Sequence, residues 1–171
     1  MWCRSVWFIL LTLSLQAQIP SIAPGAKWKQ IVLLKSNRSD VEKLVGVSQD
    51  QGHIVYYPIS EGSLRIEYSP GFCKPQQVVD WNVAEWTVID LQYVPFRNQP
   101  KFSSLKIDLR SFKKRPPALH TSEVSYYNDD AGIEYTVNEG ELERVGLYPS
   151  KKNRDLSCAR VNRRKAPSVR R

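Results

Sequence analysis

Few residues in this 171-residue chain stand where side-chain chemistry is done. The two histidines, His53 and His120, lie far apart, one at the start of a β-rich run and one in a Pro-rich stretch. A zinc site on both would need a carboxylate as well, and no His-x-x-x-His pair offers two ligands on one helical face. No Gly-x-Ser-x-Gly elbow presents a nucleophilic serine, and no Gly-rich loop follows a strand to cradle phosphate. Cys73 has Lys74 beside it, the sole local cation that would favour a thiolate, and a disulfide is the simpler reading. Asn128-Asp129-Asp130-Ala131-Gly132 has calcium-loop composition, but its glycine is out of register with a leading Asp, so it reads as a turn. Glu67 and Glu134 sit at matching strand positions, where alternation turns both toward solvent. Neither a metal nor a cofactor is expected, and the enzyme reading lacks a positive feature.

The charge pattern narrows the partners. The chain carries 25 Lys and Arg against 17 Asp and Glu, a net charge of +8. Arg160, Arg163, Arg164, Lys165, Arg170 and Arg171 place six of those positive charges in the last twelve residues, while residues 18–159 hold 18 basic and 17 acidic side chains. A phosphate-tracking domain carries its excess on the folded surface, so nucleic acid is not the expected partner. Arg4 followed by the apolar run 6–15 has the layout of a secretory signal peptide. As a helix it rises about 15 Å, half a bilayer core. The expected organisation is a signal peptide over 1–17, a leader junction over 18–27, one domain over 28–159 and a basic disordered tail over 160–171, with the mature chain outside the cytoplasm. Loss of Cys3 with the leader leaves Cys73 and Cys158, which in an exported chain pair most economically as a disulfide; two free buried thiols are the alternative.

The elements that must position these residues are mainly strands. Ser36–Gly46 reads as a short helix, with Ser36, Asn37 or Ser39 as cap, Asp40 and Glu42 at its positive end, and Val41, Leu44 and Val45 as its apolar stripe. The runs 53–58 and 63–69 read as a hairpin across Ile59-Ser60-Glu61-Gly62, and 85–94 as a longer strand with Ile89, Leu91 and Tyr93 on one face. Residues 103–112 read as a short helix or irregular docking segment. Strands follow over 123–128, 132–138 and 141–148. The order Tyr56-Tyr57, Ile66-Glu67-Tyr68, Ile89-x-Leu91 recurs as Tyr126-Tyr127, Ile133-Glu134-Tyr135, Val145-x-Leu147, the pattern of a duplicated three-strand meander; chance likeness of tyrosine-rich strands is the alternative. The first copy is longer by an insertion at 69–82 that carries Phe72 and Trp81, large aromatics in a long loop that either form an interaction surface or complete the core.

Ser39-Asp40-Val41-x-x-Leu44-x-Gly46 ahead of a strand resembles the opening of the small α+β fold of the SmpA/OmlA outer-membrane assembly lipoproteins. The β-lactamase inhibitor proteins use that fold in duplicate. The chain departs from the lipoprotein pattern in lacking a lipobox cysteine and a helix pair before the sheet. Residues 28–158, with Trp81-Asn82-Val83, Lys106-Ile107-Asp108-Leu109 and Cys158, resemble uncharacterised exported proteins of acidobacterial type, which implies a compartment and no activity.

The sequence thus leads to an α+β fold: an antiparallel sheet of about six strands with one or two short helices, tied by Cys73 and Cys158. Its expected function is an exported, non-enzymatic protein-interaction module of unknown protein partner, with Phe72 and Trp81 as contact residues. The alternatives are a secreted hydrolase using His53 or His120, and attachment to an anionic surface through Arg160, Arg163, Arg164 and Lys165.

Overall fold

The computed structural model describes residues 26–96, 99–117 and 121–165. The signal-peptide reading, His120 and the last six residues of the tail lie outside them. Seven antiparallel strands form one sheet: β1 (Ile54–Ile59), β2 (Gly62–Tyr68), β3 (Val88–Pro95), β4 (Lys113–Arg115), β5 (Val124–Asn128), β6 (Ile133–Asn138) and β7 (Glu141–Leu147), in the spatial order β1-β2-β3-β7-β6-β5-β4. Two meanders, β1 to β3 and β5 to β7, therefore meet at the β3–β7 pair in the centre. The strand missed in the sequence is β4, whose Lys-Lys-Arg composition has no apolar alternation and which forms only by pairing with β5.

Register explains the core. Val55, Ile66, Leu91, Leu147 and Ile133 lie in one row across the sheet, and Tyr57, Leu64, Tyr93, Val145, Tyr135 and Tyr126 in the next. These rows share a face because side chains two apart on a strand point the same way. Helix α1 (Arg38–Val45) covers one half, with Val41 fully buried. Asn37 caps the helix: its side chain accepts from the Asp40 backbone N–H while the Asp40 carboxylate accepts from the Asn37 N–H, and Gly46 ends it at a φ of 99°. Trp28, in a single helical turn at Lys27–Gln30, stacks on Tyr93 at 5.0 Å. The other half is covered by two short turns, Phe102–Leu105 and Leu109–Ser111, which match the irregular docking segment expected there. Phe102 stacks on Tyr126 at 5.1 Å, and Phe112 packs against Tyr135 at 5.5 Å. Three of the buried tyrosines have paired hydroxyls: Tyr57 with Tyr68 at 2.8 Å, and Tyr93 to the Glu61 carbonyl at 3.0 Å.

One expected face is corrected. Tyr68 pairs with Val88 and Glu67 with Asp90, so Ile89 is the extra residue of a bulge. It leaves the row of Leu91 and Tyr93 and joins the lining of a cleft on the opposite face. The strand also begins at Val88 rather than Glu85, since Trp86 takes a φ of 65° and Thr87 bridges to Asn37.

Both sheet edges are closed to further pairing. On β1 the outward N–H of Tyr56 is taken by the Asp50 carboxylate and its carbonyl by the Ser48 hydroxyl, while Pro58 has no N–H to offer. Arg38 holds that plug, donating to the carbonyls of Asp50 at 2.6 Å and Ser48 at 3.4 Å, bonding Glu42 at 2.9 Å and lying over the Trp86 ring. At the other edge β4 is three residues long and fully charged.

The β5–β6 turn tests the packing of this scaffold. Gly132 has a φ of 70°, and a Cβ there would fall 2.1 Å from the Tyr148 carbonyl oxygen. Gly140, at a φ of 85°, has open space around it. Gly132→Ala is expected to cost about 2–4 kcal/mol and Gly140→Ala only about 1 kcal/mol, read from urea-unfolding midpoints.

Candidate functional site

The sheet face opposite the core carries polar side chains in register. Tyr56, Arg65, Gln92, Gly146, Glu134, Tyr127 and Lys113 form one row, beside Ile54, Glu67 and Asp90. Arg65 sits between two carboxylates, 3.3 Å from Asp90 and 3.3 Å from Glu67, and Gln92 donates to Asp90 at 3.1 Å. Burial pushes the Asp90 carboxyl above its ordinary value, against the opposing effects of the Gln92 hydrogen bond and the Arg65 charge. Glu67 and Glu134 both occupy this face, as alternation requires.

Over this face the 69–82 insertion closes a cleft of about 370 Å³, lined by Arg65, Glu67, Asp90, Gln92, Trp81 and Tyr148 among others. The loop is built, not merely long. Cys73 is bonded to Cys158 across 85 positions, with the Cα atoms 5.3 Å apart. The Asn82 N–H donates to the Leu156 carbonyl at 2.7 Å and the Cys158 N–H to the Asp80 carbonyl at 3.0 Å, and Trp81 bridges to Ser157. Inside the loop the Asn82 side chain accepts from the Cys73 N–H, and Gln77 from the Lys74 N–H.

The partner of this loop is helix α2 (Cys158–Lys165), preceded by a helical turn at Lys151–Leu156. Asn162 donates to the carbonyls of Lys74 at 2.9 Å and Gln77 at 2.7 Å, and Arg164 pairs with Asp155 at 2.7 Å. Residues 160–165 are therefore helical, which corrects their placement in a disordered tail. Their composition gives no apolar stripe, and the order comes from the anchor at Cys158 and the Asn162 bonds.

The two regions proposed from sequence thus belong to one unit. Phe72 is 68% exposed, so it does not complete the core. Trp81 is half-buried and lines the cleft. Val78 and Val79, at 68% and 77% exposure, are contact candidates the sequence reading passed over; the signal was an adjacent valine pair between the polar residues Gln77 and Asp80. Arg160, Arg163 and Arg164 share the side of α2 opposite Cys158 and Asn162, by the 100° step between helical residues. Lys165 ends the helix. His53 lies elsewhere, stacked on Trp86 at 4.6 Å, and its Nδ1 is buried without a hydrogen-bond partner among the described residues. Among those residues no group of three or more His, Cys, Asp or Glu side chains is placed to hold a metal ion.

No protein-family model matches the chain, and no curated protein does. Among solved structures, that of a DUF4309 family protein, YjgB, from Bacillus subtilis subsp. subtilis str. 168 superposes with a TM-score of 0.49 at 14% identity, covering 71% of this chain and 83% of that one.

Two outcomes test the site's construction. Asp90 binds its proton more tightly folded than unfolded, so its contribution to stability is full at acid pH and is lost as pH rises through its raised value. The wild type should therefore lose stability relative to Asp90→Asn as urea unfolding is repeated from about pH 3 to about pH 8; a constant difference would contradict the burial argument. Removing the Cys73–Cys158 bond by the double serine variant is expected to cost up to about 4.5 kcal/mol by loop entropy, with the sheet's circular dichroism retained.

Proposed function

We propose that the chain is an exported, non-enzymatic docking module that holds another macromolecule against the 69–82 loop. The observation that supports this reading is the exposure of Phe72, Val78 and Val79 on a loop fixed by a disulfide, a strand-like bridge and side-chain hydrogen bonds. Large apolar side chains held rigidly in water are a cost to the isolated protein, and a partner that covers them recovers it. Preorganisation adds to this, because a loop already ordered loses little entropy on binding. The disulfide agrees with an extracytoplasmic location. The two meanders that meet at β3–β7, with the insertion in the first, are consistent with origin by duplication of a three-strand unit.

Phe72→Ala with Val78→Ala and Val79→Ala is expected to leave thermal unfolding within about 0.5 kcal/mol of wild type, these positions being surface sites. The same triple variant should lose capture of envelope components at least tenfold. Undiminished capture by the folded variant would remove the loop from the proposal.

A further inference from the structure

We infer that the macromolecular surface held is an anionic phospholipid bilayer, gripped at once by the loop and by the basic helix bonded to it. This rests on the docking reading above and names the chemistry of its partner.

The first observation is concentration of charge. Residues 151–165 contain seven Lys and Arg against the single Asp155, in a chain whose net charge is +8. The second is direction. Cys158 and Asn162 turn one side of α2 to the loop, so Arg160, Arg163 and Arg164 fall within about 100° on the other side. Arg160 and Arg163 are exposed and carry no ion pair among the described residues. The third is the company these charges keep. Leu156 is exposed between Arg154 and α2, and Phe72, Val78 and Val79 are exposed on the segment to which α2 is cross-linked.

A soluble polyanion would satisfy the arginines and leave four apolar side chains in water. The surface of an anionic bilayer offers both phases within a few ångströms: phosphates for the arginines, acyl carbon for the phenylalanine and valines. No helix among the described residues is long and apolar enough to cross a membrane, so the contact inferred is with the membrane surface. Each arginine near such a surface multiplies the partition by about fivefold at moderate salt, and the apolar contacts supply the part that salt does not screen.

The test is sedimentation of the full chain with vesicles of phosphatidylcholine alone and of phosphatidylcholine with about 30% phosphatidylglycerol. The apolar run at 6–15, Arg4, Arg170 and Arg171 are common to the wild type and the variants, so each variant is compared with the wild type on the same vesicles. The wild type should favour the anionic vesicles, Arg160→Gln with Arg163→Gln should lower that preference by about twenty-five-fold, and Phe72→Ser with Val79→Ser should lower the binding that survives high salt below that of the wild type. Equal partition to the two vesicles, or a preference untouched by the arginine changes, would overturn the inference. If vesicles are ignored while a protein is captured in a manner lost in the Phe72, Val78 and Val79 alanine variant, the docking reading stands and the lipid assignment falls.

Discussion

Covering one face of a seven-stranded sheet is the requirement from which the remaining architecture follows. Two cross-strand rows of aliphatic and tyrosine side chains cannot be left in water, and two separate stretches of chain bury them: Trp28 with α1 over one meander, Phe102 to Phe112 over the other. With that face committed to packing, the polar face of the sheet is the one left for the insertion to overhang. The insertion sits there because it leaves the end of β2, at Ser69, on the side where Arg65, Glu67 and Asp90 emerge. The scaffold thus fixes the loop's place before any feature of the loop is considered.

Arg38 links this packing to the margin of the sheet. One guanidinium rests on Trp86, bonds Glu42 and grips two backbone carbonyls, so helix position, the strained turn at Trp86 and the plug on β1 are held by a single cation. Such a group is fixed from several directions, and its loss would be felt at each of them.

The strands β1 to β3 and β5 to β7, the helix, with Asn37 among its three candidate caps, and the cysteine pair were legible in the sequence because each rests on local chemistry: period-two alternation, cap residues ahead of an apolar stripe, and two cysteines outside the leader-like segment. Residues that depend on distant partners were not. β4 is charged throughout and is a strand only through Tyr126 and Tyr127. Ile89 alternates correctly until a bulge displaces it. Residues 160–165 look like a solvated tail, yet Asn162 finds its acceptors in the loop some 85 positions earlier. The echo between the halves survives as strand order, while its first motif differs in facing: Tyr57 turns to the core in β1, whereas in β5 it is Tyr126. For the site, the loop, the basic cluster and the cysteine pair that joins them were each visible, while the Asn162 bonds and the Trp81–Ser157 bridge that seat α2 on the loop were not.

The Cys73–Cys158 bond also makes the two meanders answer to one another. Every strand from β3 to β7 lies in the chain between the two cysteines, so the cross-link closes a loop that contains the central β3–β7 seam. Reduction would return the closure entropy of that loop to the unfolded chain and leave α2 held to the insertion by the Asn162 bonds and the Trp81–Ser157 bridge alone. The seating of the helix on the insertion is thereby coupled to the redox potential around the protein.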